Sequence, residues 1–301
     1  MDSLWCPSRH CKLFNMSRVL VTGATGFIGN YVVMELLKNG CEVIASSLSA
    51  ENARQFSWFS QVTYIPFSLA AIDDKVNYYS FFNNPDIVIH LAWEGLPNYK
   101  ADFHIDVNLP RHFIFLKNLL QNGLTNLNVT GTCFEYGMQE GMLSENMPSN
   151  PAIPYAQAKD SLRKQLQELQ AVFNFNLKWM RLFYMFGKGQ NPKSLFSQLQ
   201  KAVHDNAEVF NMSWGEQIRD YLPVEQVAEY IVKAALQNTV TGIINCCSGE
   251  PVSVKQMVEK YLQEHQSGMR LNLGYYPYTD YEPMAFWGAN NRLNEIINKP
   301  K

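Results

Sequence analysis

The 301 residues, 47% hydrophobic and 17% charged, suffice for one large α/β domain with a buried core and exclude a disordered chain. With 25 basic against 27 acidic side chains, nothing points to nucleic acid or an anionic membrane, while a specific small anion stays open. No apolar stretch reaches the ~20 residues that span a bilayer. Cys6, Cys11, Cys41, Cys133, Cys246 and Cys247 show no metal-ligand spacing, which predicts a reduced, cytoplasmic protein without a metal.

Met1–Asn15 has no apolar run behind its charges, so it reads as an extension outside the fold rather than a secretion signal, with Met16 the better start. Next come a strand at Val19–Thr22, a helix at Ile28–Asn39 ended by Gly40, and strands at Glu42–Ala45, Val62–Phe67 and Asp86–Ala92. Helices are predicted at Asp106–Asn122 and Tyr155–Phe173, with strands at Asn126–Thr130 and Leu177–Leu182. Continuous Val/Ile/Leu strands separated by helices predict a parallel sheet covered on both faces, the doubly wound Rossmann-type layout. After about Gly187 the alternation loosens. Helices at Lys193–His204, Val224–Gln237 and Ser253–Glu264, a strand at Gly242–Cys246 and an apolar run near Val209 sit among turn-rich stretches. Residues 16–187 are therefore expected to form the larger unit and 188–301 a smaller lobe interleaved with it.

Gly23-x-x-Gly26-x-x-Gly29 follows the first strand and opens the first helix. Unpaired amides at a helix start carry roughly half a positive charge, and glycines clear the space a phosphate needs. The alternative is a turn whose glycines only allow tight bending; the flanking strand and helix favour a dinucleotide site. Further on, Tyr155-x-x-x-Lys159 places a phenol and an ammonium on one helix face. The ammonium favours the phenolate, which would make the phenol useful as an acid–base group. By itself so short a pair favours a helix-end aromatic and a solvated lysine, and the glycine motif upstream reverses that balance. His90, inside an apolar strand, reads as a core residue.

"TGATGFIG", "IHLAWEG", "TGTCFEYG", "YAQAK", "RLFYMFG", "IRDYLPVEQVA" and "NCCSGEPVSVKQM" follow one another along nearly the whole chain from residue 18. In this order they resemble the extended short-chain dehydrogenase/reductase superfamily, the epimerase/dehydratase family that acts on nucleotide sugars. The resemblance implies Thr132, Tyr155 and Lys159 as catalytic residues, with Thr132 bridging Tyr155 and the substrate oxygen and Lys159 also holding the nicotinamide ribose. It implies dinucleotide contacts from Gly23, Thr25, Gly26, Phe27, Ile28 and Gly29 at the pyrophosphate. Leu69 is expected at the adenine, with Leu91, Ala92, Trp93, Thr130 and Phe183 along the rest. Substrate contacts are implied for Thr132, Tyr155, Tyr184 and Asn191, with Arg219 clamping the diphosphate and Arg292 a second contact. Ser68 and Asp106 stand where relatives carry an Asp near the adenine and a loop-ordering Asn.

Ser46 and Ser47 replace the acid of NAD binders, and Arg54 is close enough in sequence to reach a 2′-phosphate, so NADP(H) is favoured and NAD(H) possible. An ordinary solvated loop is the other reading of these three residues. Cys133 and Phe134 replace the Asp-Glu pair of dehydratases and argue against dehydration. Tyr184, in place of a common Asn, tilts the expectation towards an NADPH-dependent reductase of a dTDP- or CDP-linked 4-keto-6-deoxyhexose. An NAD-dependent 4-epimerase and a non-catalytic dinucleotide-binding regulator are the alternatives. The resemblance also implies a homodimer through a four-helix bundle, with a nucleotide-diphosphate sugar as the ligand and neither nucleic acid nor membrane as a partner.

Overall fold

Fully apolar runs become strands here because a strand covered on both faces needs apolar residues at every position. The computed structural model describes residues 16–298, so the expectation for Met1–Asn15 lies outside the described residues. The chain opens with β1 (Arg18–Thr22), α1 (Phe27–Lys38), β2 (Glu42–Ser46), α2 (Ala50–Ala53) and β3 (Thr63–Tyr64). Then come α3 (Tyr78–Phe81), β4 (Ile87–His90), α4 (Leu109–Gln121), β5 (Asn126–Thr132), β6 (Gly141–Leu143), α5 (Pro154–Leu169) and β7 (Asn176–Leu182). The rest holds β8 (Tyr184–Phe186), α6 (Leu195–His204), β9 (Val209–Asn211), β10 (Ile218–Pro223), α7 (Val224–Ala235) and β11 (Gly242–Cys246). Last are β12 (Pro251–Ser253), α8 (Val254–Glu264), β13 (Arg270–Asn272), β14 (Phe286–Gly288) and α9 (Asn291–Ile297).

Seven parallel strands form one sheet in the order β11-β7-β5-β4-β1-β2-β3. The chain winds outward from β1 to β3, then crosses to β4 and winds the other way. Such a reversal opens a crevice at the carboxyl ends of β1 and β4, where α/β sheets bind ligands. On one face Val32 and Leu36 of α1, Ile231 and Val232 of α7 and Leu293 of α9 pack on Val19, Ile89 and Ile244. On the other, Phe115 and Leu119 of α4 and Leu162 and Leu166 of α5 cover Leu127 and Trp179. This is the doubly wound Rossmann-like fold expected. No helix among the described residues is long and apolar enough to cross a membrane.

The expected strand at Val62–Phe67 is shorter, only Thr63–Tyr64. It is a sheet edge, and Pro66 has no N–H to offer; the amides of Ile65 and Phe67 still donate to the Ala45 and Ser47 carbonyls. Ahead of α4, His104–Asn108 forms a π-helical turn. The turn-rich second half contains short strands too brief to show alternation: β12-β10-β8 form one small sheet, and β9 pairs with β13 and β6 with β14. Phe196, Leu199, Phe210, Val258 and Leu262 make their own cluster under α6 and α8.

Candidate active site

The glycines after β1 do different jobs. Gly23 sits at φ +71°, and a Cβ there would lie 2.8 Å from the Ala92 nitrogen. Gly29 is buried in α1, with a Cβ position only 2.1 Å from the Gly23 carbonyl oxygen, so the helix packs directly on the turn. A Cβ on Gly26 would meet only the Gly23 oxygen, at 3.1 Å, and would otherwise project into open space. The glycines thus divide: Gly23 and Gly29 make the bend tight, and Gly26 leaves its mouth bare.

Two cavities meet at Gly26. The first, about 290 Å³, runs from Gly23 and Thr25 past Ser46, Ser47, Ser49 and Asn52 to Phe67 and Leu69, under Leu91, Ala92, Trp93 and Glu94. The second, about 620 Å³, runs from Phe27 and Ile28 over Thr132, Tyr155 and Phe183 to Tyr184, Asn191, Lys193 and Ser194. An elongated space with exposed backbone at its waist fits a dinucleotide. Ser47, Ser49, Asn52 and Leu69 would hold the adenosine, Gly26 the pyrophosphate, and Ile28 and Phe183 the nicotinamide end.

At the far end β5 presents Thr132, whose hydroxyl accepts from the Phe134 amide at 3.3 Å and whose own amide donates to Glu135 Oε1 at 3.0 Å. The Tyr155 amide, at the start of α5, donates to the Tyr99 carbonyl at 3.1 Å. Burial pushes the Tyr155 phenol well up; Tyr99, Glu135 and Cys133 add to this, and a hydrogen bond with Thr132 opposes it. One turn on, Lys159 is 2% exposed and donates to the Thr130 carbonyl at 2.8 Å. Burial pulls its ammonium down to about 7 against the attraction of Glu135. The net lowering of the phenol expected from Lys159 is thus reversed, because both groups are out of water. At neutral pH Tyr155 keeps its proton.

Sequence reasoning passed over Glu135, although Thr132-x-x-Glu135 is a capping-box pattern that marks it. Its carboxylate is fully buried and also accepts from Trp179 Nε1 at 2.9 Å and Arg181 Nε at 2.7 Å, tying the Thr132 backbone to β7.

The model of the NAD dependent epimerase/dehydratase family matches residues 19–247. The chain belongs to this family. Among epimerase/dehydratase relatives, the dTDP-6-deoxy-L-talose 4-dehydrogenase (NAD(+)) of Aggregatibacter actinomycetemcomitans is 32% identical over 90% of this chain and 99% of its own length. The UDP-glucose 4-epimerase of Bacillus subtilis (strain 168) is 28% identical over 81% of this chain and 80% of its own. Of solved structures, the UDP-glucuronic acid 4-epimerase from Bacillus cereus in complex with UDP-glucuronic acid and NAD shares the fold. Its TM-score is 0.79, at 21% identity over 94% of both chains.

Most of the expected family positions border the cavities: Gly23, Thr25, Gly26, Ser46, Ser47, Leu69, Leu91, Ala92 and Trp93 the first, Phe27, Ile28, Thr132, Tyr155, Phe183, Tyr184 and Asn191 the second. Several are corrected. Gly29 lies beneath the turn rather than on it. Thr130 holds Lys159 through its carbonyl and donates its hydroxyl to the His90 carbonyl at 3.4 Å. Lys159 borders neither cavity, its Nζ facing the Trp93 ring at 4.1 Å. Arg54 is exposed just beyond α2 and also borders neither; Asn52, two residues earlier, does.

The largest correction concerns Arg219, which is 1% exposed. Its guanidinium pairs with Glu282 at 2.8 Å and donates to the Ile218 and Met284 carbonyls, over the Phe286 ring. Three contacts from its two terminal nitrogens are made within the protein, and Arg219 borders neither cavity, so it does not stand where a diphosphate clamp was expected. Arg292 donates to the Thr241 carbonyl and anchors α9 beside β11. Among the described residues bordering the cavities, the cation is Lys193.

Ser68 caps a short turn through the Ala70 amide. Asp106 is exposed, whereas the π-helical turn carries Asn108 inward, where it donates to the Glu94 carbonyl at 3.0 Å and orders that loop. His90 is a core residue as expected, bonded to Thr22 Oγ1 at 2.8 Å and His112 at 2.7 Å.

Proposed function

We propose that this protein transfers hydride at C4 of a nucleotide-linked 6-deoxyhexose, reducing a 4-ketone and, in reverse, oxidising the 4-hydroxyl. One observation carries the reading: Tyr155, whose buried phenol keeps its proton, and Thr132 border the same cavity, walled by Leu96, Tyr99, Phe134 and Phe183. Such walls suit a sugar with a methyl group at C6 in place of a hydroxyl. The name and coverage of the talose dehydrogenase relative support it.

When bound, a nicotinamide dinucleotide supplies or accepts the hydride. Tyr155 donates the proton to the C4 oxygen during reduction and takes it back during oxidation, and Thr132 orients that oxygen. The positive charge of Lys159 stabilises the phenolate that remains. Lys193, with Asn191, takes the diphosphate role first expected of Arg219. Cys133, whose buried thiol is pushed up and keeps its proton, and Phe134 cannot act as the acid and base of a 4,6-dehydration.

For the cofactor we now favour NAD(H) over NADP(H). The groups around Ser47 are hydroxyls and an amide, Arg54 stands outside, and the 32% relative is named for NAD(+).

The test is a panel of dTDP-, CDP-, GDP- and UDP-linked 4-keto-6-deoxy sugars with NADH or NADPH, followed by nicotinamide absorbance. Oxidation of NADH by a dTDP- or CDP-linked member is expected. A second reading, 4-epimerisation, is favoured by the name of the 28% identical relative. Interconversion of UDP-hexoses without net change in the dinucleotide, with the keto sugars inert, would replace the first reading by it.

A further inference from the structure

Trp93 follows β4 at the edge of the first cavity, where residues of three segments meet on it. Its ring stacks on His112 of α4, with centroids 4.4 Å apart and planes 23° apart. Its Nε1–H donates to His104 Nδ1 at 3.1 Å, and His104 Nε2 donates to the Asn98 carbonyl at 2.9 Å, which leaves that imidazole neutral with a fixed tautomer. The indole is thus held on its face and at its edge. The Lys159 Nζ lies 4.1 Å from the ring centroid.

We infer that Trp93 is a positioning residue: its clamped indole carries the Lys159 ammonium, keeping it charged and in place for Tyr155. The inference rests on the reading of Tyr155 and Lys159 as the proton-transfer pair. A ring face attracts a cation most when both are shielded from water, and Lys159 is almost wholly buried. The neighbours leave this role open. Glu135, in the turn just after β5, attracts the ammonium, but its carboxylate is engaged by Arg181, Trp179 and the Thr132 amide. His90 of β4, His104 of the π turn and His112 of α4 are all driven towards the neutral form by burial first, with Lys159 adding to it. Tyr155, on the same helix, keeps its proton. Near Nζ that leaves the Thr130 carbonyl and the Trp93 face.

The test reads the ammonium itself. In dinucleotide-free protein with carbon-13-labelled lysine, the Lys159 resonance, assigned with Lys159→Met, should titrate near neutral pH. Trp93→Leu should lower that midpoint by about one pH unit. Tetrafluorotryptophan at position 93 alone keeps the shape, weakens the ring's negative face and should shift the midpoint the same way by less. The alkaline limb of kcat/KM should move down in the same order. An unmoved midpoint in the fluorinated protein overturns the inference, whether or not Trp93→Leu folds. So does lost turnover in Trp93→Leu with an unmoved midpoint, which marks a merely structural role. Full turnover by Tyr155→Phe would instead remove the proton-transfer reading and leave the titration result standing.

Discussion

Gly26 and Gly29 look interchangeable in the sequence and are opposites in space. Gly26 has φ −73° and ψ 171°, which alanine adopts freely, and its missing methyl faces the junction of the two cavities. Gly26→Ala should therefore weaken NAD(H) binding by about tenfold or more, while lowering the thermal midpoint less than Gly29→Ala does, because its Cβ meets a single carbonyl oxygen at 3.1 Å. Gly29→Ala forces a clash with the Gly23 carbonyl and should cost about 1–3 kcal/mol of stability. Calorimetry of binding and of unfolding separates the two, and the same pattern in both variants would contradict the assignment. Glu135→Gln strips the buried Arg181 of its counter-charge and should destabilise the protein by about 3–5 kcal/mol in denaturant melts. A loss below about 1 kcal/mol would show that the pair is not what holds Thr132 to β7. That Thr132 and Tyr155 share a cavity, with Lys159 one turn on, was legible because these residues lie at fixed local spacings. Arg219 was not: its fate is decided by Glu282, 63 residues later, and no local pattern shows that the two pair.

The strands of the main sheet were legible because buried parallel strands leave unbroken apolar runs, as Val19–Val21 and Ile87–Ile89 do. β8, β12 and β14 have three residues each, too few for any periodicity, and their pairings are set by distant partners. One buried strand breaks its own pattern: Lys178 in β7 is enclosed, and burial pulls its ammonium down to about 8 from 10.5. Below about 8 both folded and unfolded chains hold this proton, and the folded state carries the full cost of the buried charge. Between about 8 and 10.5 only the unfolded chain holds it, so that cost shrinks as pH rises. Lys178→Met removes that cost together with the hydrogen bonds from Nζ to Asn238 and Asn126, so its gain in thermal midpoint over the wild type should be greatest near pH 6 and shrink at each step above pH 8. A gain that stays level across that range would contradict the burial cost.

The winding of the chain was readable from its alternation of strands and helices; the shape of the site was not, because its walls come from far-separated segments. Tyr99 and Trp93 lie before α4, Phe183 and Tyr184 after β7, and Lys193 ahead of α6. α4 and α5 lie together on one face of the sheet, with Ile114 exposed on α4. We propose these helices as the surface of a homodimer. Light scattering should then give twice the chain mass for the wild type and the single mass for Ile114→Glu; a wild type that stays monomeric at every concentration would contradict it.

The proposed mechanism turns on the Tyr155 phenol moving one proton. Side-by-side turnover of wild type and Tyr155→Phe on the nucleotide sugar that the panel selects, with NAD(H) affinity measured on both, addresses it directly. The expected result is a loss of at least about 10²-fold in kcat with dinucleotide affinity unchanged; turnover at the wild-type rate would contradict the mechanism.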